Sequence, residues 1–376
     1  MDLTARLKQR AGELGFDLVG VTSVDPPPHA DHYRDWLARG YGGEMSYLAR
    51  EDAVRRRVEP RGVLPNARSV LVVALNYHLD DDGPVDDPAR AVFARYARGD
   101  DYHTVFEDKL GALAAYVEES GGRTKCYVDY GPVLERDLAQ RAGLGWIGKN
   151  TVLIHPESGS YLFLGEIFTD LALEPDPPFT ADRCGTCTRC IEACPTGAIK
   201  GPRELDARLC ISYLTIELRG PIPRELRPLI GNRVFGCDIC QEVCPWNRYV
   251  PETKEPRFKP REVPGPELVE LLALTEEEFE RRFAGSAITR AKRGGLLRNV
   301  AVALGNWGAE EAVPALTRAL EDADPLVRGH AAWALGRIGT SEAWDALALR
   351  LAVEKDDCVQ GELEDALRGS RKDHPA

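Results

Sequence analysis

Eight of the ten cysteines fall within one stretch, residues 184–244, and their spacing is typical of metal ligands. The first group reads Cys-x2-Cys-x2-Cys-x3-Cys-Pro, which is the run found in bacterial two-cluster ferredoxins. A second group at 237–245 repeats the latter part of that run, and Cys210 lies between the two groups. In this pattern, the cysteine before the proline binds the cluster of the other group. This symmetry assigns cluster one to Cys184, Cys187, Cys190 and Cys244, and cluster two to Cys194, Cys210, Cys237 and Cys240.

Two structural zinc sites with four cysteines each are the alternative metal interpretation. Zinc ribbons pair two CxxC motifs, whereas a CxxCxxC triplet suits three corners of an iron–sulfur cube, so the spacing favours two [4Fe–4S] clusters. Such clusters pass single electrons, which indicates an electron conduit and leaves the reaction open.

Composition narrows the class of protein around this module. The chain has 376 residues, of which 43% are hydrophobic and 29% charged, as in folded proteins of two or three domains. The longest uncharged apolar stretch, 69–79, is too short for a bilayer, and the first residues lack a secretion signal. We therefore expect a cytoplasmic protein without a membrane partner. The net charge of −12 excludes a globally basic surface for nucleic acid but says nothing about local patches.

Proline-rich segments divide the chain into three predicted domains, at 1–178, 179–250 and 251–376. The first alternates helical and strand-like patterns, which predicts an α/β domain. Its segment 69–75 is apolar on both faces and should be a central strand. Segments 151–154 and 161–168 flank a turn, so we expect them to pair as a hairpin. The second predicted domain is the bacterial-ferredoxin-like two-cluster module.

The last hundred residues contain an internal repeat. Ala-Leu-Gly-Asn-Trp-Gly at 303–308 recurs as Ala-Leu-Gly-Arg-Ile-Gly at 334–339, and Asp-Pro-Leu-Val-Arg at 324–328 opens the middle unit. These features predict C-terminal α-helical HEAT-like repeats, whose units bury their apolar faces against their neighbours. An ordinary helical bundle with a chance repeat is the alternative.

Several motifs together resemble the epoxyqueuosine reductase family. They are Val-Asp-Tyr-Gly-Pro-Val-Leu-Glu-Arg at 128–136, Gly-Trp-Ile-Gly-Lys-Asn-Thr at 145–151, Cys-Asp-Ile-Cys-Gln-Glu-Val-Cys-Pro-Trp-Asn at 237–247, Arg-Tyr-Ala at 95–97 and Asp-Tyr-His at 101–103. The resemblance covers essentially the whole chain, and the family is related to reductive dehalogenases. It implies a cobalamin-dependent oxidoreductase in which two clusters feed cob(I)alamin. The implied reaction reduces epoxyqueuosine to queuosine at the wobble position of tRNA, the last step of queuosine biosynthesis.

The resemblance implies that Asp129 is the catalytic residue, because it matches the aspartate of the family's Asp-x-Gly-Pro motif. A general acid is needed to protonate the epoxide oxygen as the C–O bond breaks. An ordinary aspartate has a pKa near 3.9, so burial would have to raise the pKa of Asp129. Capping of the turn at 130–132 is the alternative role for this side chain.

The implied cobalamin would be base-off, with no histidine as lower ligand. Asp101 and His103 begin the Asp-x-His-x-x-Gly pattern of histidine-on cobalamin sites, but Phe106 stands where the glycine belongs. The family motifs suggest as cobalamin contacts Arg57, Ala97, Asp129, Gly148, Lys149, Asn150 and Ile154. Sheet packing or surface solvation is the alternative for each.

A basic segment at 281–300 carries six Lys or Arg residues and no acidic residue. From it, the predicted tRNA contacts are Arg290, Lys292, Arg293 and Arg298. Such a patch can neutralise phosphates without reading bases, although a solvated basic face is the alternative. The resemblance implies tRNA as partner, an external low-potential electron donor and a monomer. The competing functions are a corrinoid-dependent dehalogenase for a small molecule and an electron-transfer ferredoxin with a protein-binding scaffold.

Overall fold

Long-range contacts group the chain into two units, each built from three separate segments. The computed structural model describes residues 2–80, 87–261 and 265–373. Unit 1 comprises Met1–Asp80, Gly99–Arg208 and Asp238–Lys259, and unit 2 comprises Asp81–Arg98, Leu209–Cys237 and Pro260–Ala376. The predicted boundaries followed composition along the chain, whereas these units join segments that are distant in sequence. The middle of the predicted ferredoxin-like domain therefore belongs to unit 2. The division into three consecutive domains stays a prediction.

Helices and strands are numbered in chain order. The α-helices are α1 (Leu3–Glu13), α2 (Ala30–Ala38), α3 (Glu51–Val58), α4 (Tyr102–Glu119), α5 (Glu135–Arg141), α6 (Arg189–Glu192), α7 (Ile211–Ile216), α8 (Arg227–Ile230), α9 (Ile239–Glu242), α10 (Leu268–Leu272), α11 (Glu276–Phe283), α12 (Lys292–Trp307), α13 (Val313–Ala319), α14 (Pro325–Ile338), α15 (Ser341–Leu351) and α16 (Asp357–Asp373). The strands are β1 (Leu18–Ser23), β2 (Ser69–Asn76), β3 (Val92–Phe93), β4 (Thr124–Tyr127), β5 (Trp146–Ile147), β6 (Leu153–Ile154), β7 (Leu162–Thr169), β8 (Ile199–Gly201), β9 (Glu204–Leu205) and β10 (Arg233–Phe235).

A four-stranded antiparallel sheet in the order β1-β2-β7-β4 organises unit 1. All residues of β2 are buried, which confirms the central strand predicted from its two apolar faces. One face of the sheet packs against α5, where Leu138 shares a core with Val72 and Phe168. On the other face, α4 approaches so closely that a β-carbon at Gly165 would lie 2.8 Å from the Phe106 ring. Helices thus cover both faces of this antiparallel sheet.

The hairpin predicted between 151–154 and 161–168 is wrong. β6 pairs with β5, and β7 pairs with β2 and β4. A turn does form between them, with an isolated bridge between His155 and Gly159. Because β7 is buried along almost its whole length, it gains more by filling the middle of the sheet than by pairing with a two-residue neighbour.

Unit 2 contains the repeat helices, and glycines explain why the repeated motif ends as it does. α12 packs against α14, and α14 packs against α16. A β-carbon at Gly305 would lie 2.9 Å from the backbone of α14, and one at Gly336 would lie 3.0 Å from the backbone of α16. Gly308 and Gly339 end α12 and α14 in the left-handed conformation. Within the described residues, no helix is long and apolar enough to cross a bilayer.

Candidate active site and cluster pocket

The turn that carries Asp129 joins β4, which ends at Tyr127, to α5, which begins at Glu135. Asp129 has a φ of 55°, in the left-handed region that favours glycine and that Asp and Asn tolerate better than other residues. Gly131 is sterically required, since a β-carbon there would lie 2.5 Å from the Tyr127 ring. The backbone of this turn therefore holds the Asp129 side chain in one place, and its carboxyl is 49% exposed.

The first residues of α4 contact the Asp129 carboxyl. The Tyr102 hydroxyl donates to Asp129 Oδ2 at 2.5 Å, and His103 Nε2 lies 3.8 Å from the same oxygen. His103 Nδ1 is 2.8 Å from Asp101 Oδ1, and this aspartate also caps α4 by accepting from the His103 N–H. The Asp-Tyr-His motif thus lies beside Asp129: a phenol and an imidazole face its carboxyl, and the Asp101 carboxyl holds the imidazole by its other nitrogen.

A stack of rings ends beside Asp129. Phe163 and Tyr102 are parallel to within 10° at 4.3 Å, Tyr102 and His103 stack at 4.1 Å, and His103 and Tyr130 stack at 5.6 Å. The outermost ring, that of Tyr130, is 60% exposed. An exposed aromatic face of this kind can receive a planar group such as a nucleobase.

Two glutamates near this turn were missed from the sequence. Glu166 lies on β7 and is 0% exposed, and Glu135 begins α5. Burial is the largest cause that raises the pKa of each carboxyl, and the neighbouring charge of Asp129 raises both further. A lone carboxyl in the apolar strand Leu-Phe-Leu-Gly-Glu-Ile-Phe-Thr was the available signal for Glu166.

Two polar atoms in unit 1 have spare hydrogen-bonding capacity. Arg57 is buried, its Nη2 donates weakly to the Gly131 carbonyl at 3.5 Å, and its Nη1 has no partner among the described residues. Asn150 is also buried, donates to the Cys240 carbonyl at 3.3 Å, and leaves Oδ1 without a partner in the same ranges. Gly148 makes room for this amide, since a β-carbon would lie 2.6 Å from Asn150 Oδ1. A buried donor and a buried acceptor are what the polar arms of a cofactor would require.

The cysteines predicted to bind cluster one line a single pocket of about 50 Å³ in unit 1. Trp146 Nε1 donates to Cys184 Sγ at 3.4 Å. Burial, with a smaller effect from the charge of Cys184, raises the pKa of Cys190 and of Cys244. Thiolates gathered in this way repel one another, and bound iron would offset that repulsion. The pocket therefore brings together Cys184, Cys187, Cys190 and Cys244.

Lys149 and Ile154 lie in the wall of this pocket. Lys149 Nζ donates to the carbonyls of Gly185 and Cys187 at 2.7 and 2.9 Å, so its ammonium group braces the cysteine loop. Ile154 shares a small apolar cluster with Cys244. The structure gives both residues a role at the cysteines, and their contact with cobalamin stays a prediction.

The remaining cluster and cobalamin residues are distributed over both units. Cys194 and Cys240 belong to unit 1, and Cys210 and Cys237 to unit 2. Ala97 also belongs to unit 2, where it is buried in the core cluster. The assignments of cluster two and of Ala97 stay predictions.

Arg298 corrects the predicted tRNA surface, because its side chain is 1% exposed. The guanidinium donates to three backbone carbonyls and to the Asn299 side chain within unit 2, so phosphate has no access to it. Most of the Arg293 guanidinium is also engaged within the protein and is not available to phosphate. It donates to the Leu274 carbonyl and pairs with Asp322 at 2.6 Å. Charge in the sequence did not distinguish structural from surface arginines.

Arg290 and Lys292 do reach the surface of unit 2. Arg290 pairs with Glu217 at 2.8 Å yet remains 42% exposed. These two side chains are the part of the predicted basic patch that a phosphate could approach.

Family models match three parts of the chain. The 4Fe-4S double cluster binding domain matches residues 183–247, and HEAT repeats match 285–368. Together with the cysteine pocket, these matches define an iron–sulfur protein of the double-cluster class with HEAT repeats, which confirms both predictions. A third model, described as epoxyqueuosine reductase QueG, DUF1730, matches residues 57–130.

Whole-chain relatives identify the family. The epoxyqueuosine reductase of Xanthomonas campestris is 46% identical over 90% of this chain and 97% of its own length, and that of Escherichia coli is 42% identical over 89% of each. The chain belongs to the epoxyqueuosine reductase family.

Solved structures of the same enzyme also resemble this chain. A crystal structure of epoxyqueuosine reductase with an epoxyqueuosine-modified tRNA-Tyr stem loop aligns with a TM-score of 0.91 and 36% identity, over 98% of this chain and 99% of that one. The Bacillus subtilis enzyme, in a structure with its catalytic aspartate loop swung out of the active site, aligns with a TM-score of 0.90 and 35% identity over 98% of each chain. Reductive dehalogenases align with a TM-score of 0.40 and 18% identity, a level that does not by itself indicate a shared fold.

Proposed function

We propose that this chain reduces epoxyqueuosine in tRNA to queuosine, the last step of queuosine biosynthesis. Membership of the family supports this activity, as does the similarity to an enzyme crystallised with an epoxyqueuosine-modified stem loop. The observation that carries the proposal is the Asp129 turn, where a half-exposed carboxyl is held by Tyr102 in the same unit as the cluster-one cysteines.

Conversion of the epoxide to an alkene removes one oxygen as water and consumes two electrons and two protons. One-electron clusters suit the electron side of this balance, with an external low-potential donor as the source. Asp129 suits the proton side, because its carboxyl can give a proton to the epoxide oxygen while the C–O bond breaks. The carboxyl is half exposed, so the burial that this role requires would come from the bound cofactor and substrate. The Tyr102 hydroxyl donates to Oδ2 and so fixes the orientation of the carboxyl.

Cobalamin fits the buried polar atoms of unit 1. Arg57 Nη1 would donate to an amide or phosphate arm, and Asn150 Oδ1 would accept from an amide arm. When bound, the cofactor would supply a cobalt centre that passes electrons from the clusters to the substrate. We propose the base-off form, because both ring nitrogens of His103 already face carboxyls, those of Asp101 and Asp129.

The tRNA partner and the cytoplasmic location are proposed on separate grounds. Arg290 and Lys292 offer exposed positive charge for the backbone of the RNA, which favours association without base reading. An RNA loop presents single nucleotides that can enter a pocket and stack on an aromatic face, as Tyr130 provides. Eight thiols that must stay reduced to bind iron favour the cytoplasm.

Asp129→Asn tests the acid directly. Asparagine adopts the left-handed conformation as readily as aspartate and has the same shape, so the turn should persist. We expect unchanged iron content, cobalamin content and stem-loop affinity, with turnover reduced by about 10²-fold or more. Turnover is measured with reduced protein, cobalamin and an epoxyqueuosine stem loop, followed by mass analysis of the nucleosides.

Tyr102→Phe is the companion variant, because it removes the hydrogen bond to Asp129 Oδ2 and keeps the ring stack. We expect a smaller loss than for Asp129→Asn. If Asp129 only caps the turn, asparagine replaces it and turnover stays normal in the fully loaded variant. That result would remove Asp129 from the reaction.

A further inference from the structure

Glu166 is an unusual residue for the middle of a sheet. Its cross-strand neighbours are Val72 and Tyr127, and its side chain points to the face on which Leu164 and Phe168 pack against α5. Both carboxyl oxygens are shielded from solvent and receive no hydrogen bond from a donor among the described residues. An ionised carboxylate in such surroundings is strongly disfavoured, so burial favours the protonated form of Glu166.

Glu135 is the partner that makes sharing possible. The Glu135 carboxyl lies near enough to that of Glu166 to form a hydrogen bond if one of them is protonated, and Glu135 Oε1 is also shielded from solvent. Two carboxylates are both acceptors, so this bond exists only while at least one of the two carries a proton. Burial raises the pKa of Glu135 to about 8 and moves that of Glu166 well above its ordinary value.

The charged groups around this pair have opposite effects on its protonation. The Asp129 carboxyl favours the protonated form of both glutamates. The guanidinium groups of Arg136 and Arg57 favour the ionised form of Glu135, more weakly than burial opposes it. On β4, Cys126 and the Tyr127 phenol are the titratable neighbours of Glu166. The pair therefore loses its proton on the alkaline side of neutrality.

Glu135 also contacts the turn that carries Asp129. The backbone N–H of Asp129 donates to the Glu135 carboxyl, at the residue whose φ of 55° is unfavourable for a side chain with a β-carbon. This hydrogen bond compensates for the strained backbone. Whatever moves Glu135 therefore moves or releases the Asp129 turn.

We propose that Glu135 and Glu166 are positioning residues that hold the Asp129 turn through a shared proton, and that the turn is released when this proton is lost. Ionisation of both carboxyls places two like charges in an apolar core, and the pair must then separate. Separation withdraws the Glu135 carboxyl from the Asp129 N–H. The effect on turnover rests on the proposed function of Asp129, whereas the effect on the turn does not.

E166Q tests the shared proton in the full-length, cofactor-loaded protein. The introduced amide can donate to the Glu135 carboxylate without any titrating proton, so the contact should survive at high pH. In the unsubstituted protein, we expect kcat to fall about tenfold per pH unit above the pKa of the pair. In E166Q, we expect this alkaline limb to move up by about one pH unit or more, with kcat at pH 7 within about threefold.

Hydrogen exchange of residues 128–134 gives a readout that does not need activity. After correction for intrinsic rates, protection in the unsubstituted protein should fall about tenfold or more between pH 7 and pH 9.5, and it should persist in E166Q. E119Q, at an exposed position of α4, is the matched control and should behave as the unsubstituted protein. E135Q removes the other titrating carboxyl and serves if E166Q does not fold.

The outcomes separate the two proposals. The shared-proton proposal would be overturned if the alkaline limb of kcat and the hydrogen exchange were the same in the unsubstituted protein and in E166Q. A loss of turnover in E166Q that is equal at every pH would also overturn it. If hydrogen exchange of the Asp129 turn depended on pH as expected but the protein did not reduce epoxyqueuosine, the shared-proton proposal would be supported and the proposed function refuted.

Discussion

Replacing Arg298 with methionine should unfold unit 2 more easily without a direct effect on RNA binding. Arg298 Nη1 donates to the carbonyls of Leu218 and Gly220 at 2.8 Å, and Nη2 donates to that of Leu214 at 2.6 Å. Leu214 lies in α7, and the other two carbonyls follow its end, where a helix has no intrahelical donors to offer. The guanidinium therefore completes the C-terminal end of this helix from inside the core.

The expected loss of stability follows from the three carbonyls that would lose their hydrogen-bond donor. Methionine fills much of the volume of the arginine stem but satisfies none of the three carbonyls. A buried acceptor without a partner costs about 1–3 kcal/mol, and water can reach some of the vacated space, so we expect a loss of about 3–6 kcal/mol in the free energy of unfolding. Arg298→Lys should lose less, because one ammonium group can serve one or two of the carbonyls.

Urea unfolding of the cofactor-loaded protein measures the stability, and salt-dependent binding of a tRNA stem loop measures the phosphate contacts. Lys292→Ala is the matched control, because the lysine is exposed: its free energy of unfolding should stay within about 0.5 kcal/mol of the unsubstituted protein's, while RNA binding weakens. Arg298→Met should show the reverse pattern at a temperature where it is folded. If it kept the original urea midpoint and lost salt-dependent RNA affinity, the structural role assigned to Arg298 would be refuted.

Three further predictions use other parts of the molecule. Cys244→Ser should remove cluster one and lower the iron content from about eight to about four per chain, while Cys126→Ser keeps it; full iron in the first variant would disprove the crossed ligand assignment. Replacing Arg290 and Lys292 together by alanine should reduce the salt dependence of stem-loop binding by about one phosphate contact per charge and leave the iron content unchanged; an unaltered slope would place the RNA elsewhere. The folded state keeps the Glu166 proton that the unfolded chain releases above about pH 4.3, so the free energy of unfolding should fall as pH rises from 5 to 8. Urea titrations of Glu166→Gln should show a smaller fall over this range. An equal fall in both proteins would argue against a protonated Glu166.

Local patterns were the part of this fold that the sequence could reveal. Cysteine spacing is set by the wrapping of one cluster, so the pocket of Cys184, Cys187 and Cys190 follows from neighbours in the chain. The apolar run of β2 reflects burial of both of its faces, and the repeated glycines reflect contacts that recur at a fixed interval. Each of these predictions depends on the residues nearby in sequence.

The sequence could not reveal the contacts between residues that are distant in the chain. The two arginines Arg293 and Arg298 look alike in a basic segment, yet one reaches Asp322 and the other caps α7 from the core. Glu166 shows the same limit, because its role depends on Glu135, which is distant in the chain and on another element. A sequence pattern gives the charge of such residues, whereas tertiary contacts decide whether that charge meets solvent, a carbonyl or a second carboxyl.

The segment 148–154 connects the predicted cobalamin contacts to the cysteines. The family motifs predict that Lys149 contacts the cofactor, but its ammonium group donates to two carbonyls of the cysteine loop, those of Gly185 and Cys187. Asn150, the next residue, keeps Oδ1 unpartnered among the described residues and is the better candidate for the cofactor's amide arms. Both residues line the pocket of the cluster-one cysteines, so under the proposed function this segment would contact the cluster as well as the cofactor. A cofactor held by Asn150 would share one short backbone segment with cluster one, and this sharing would favour electron transfer over a short distance.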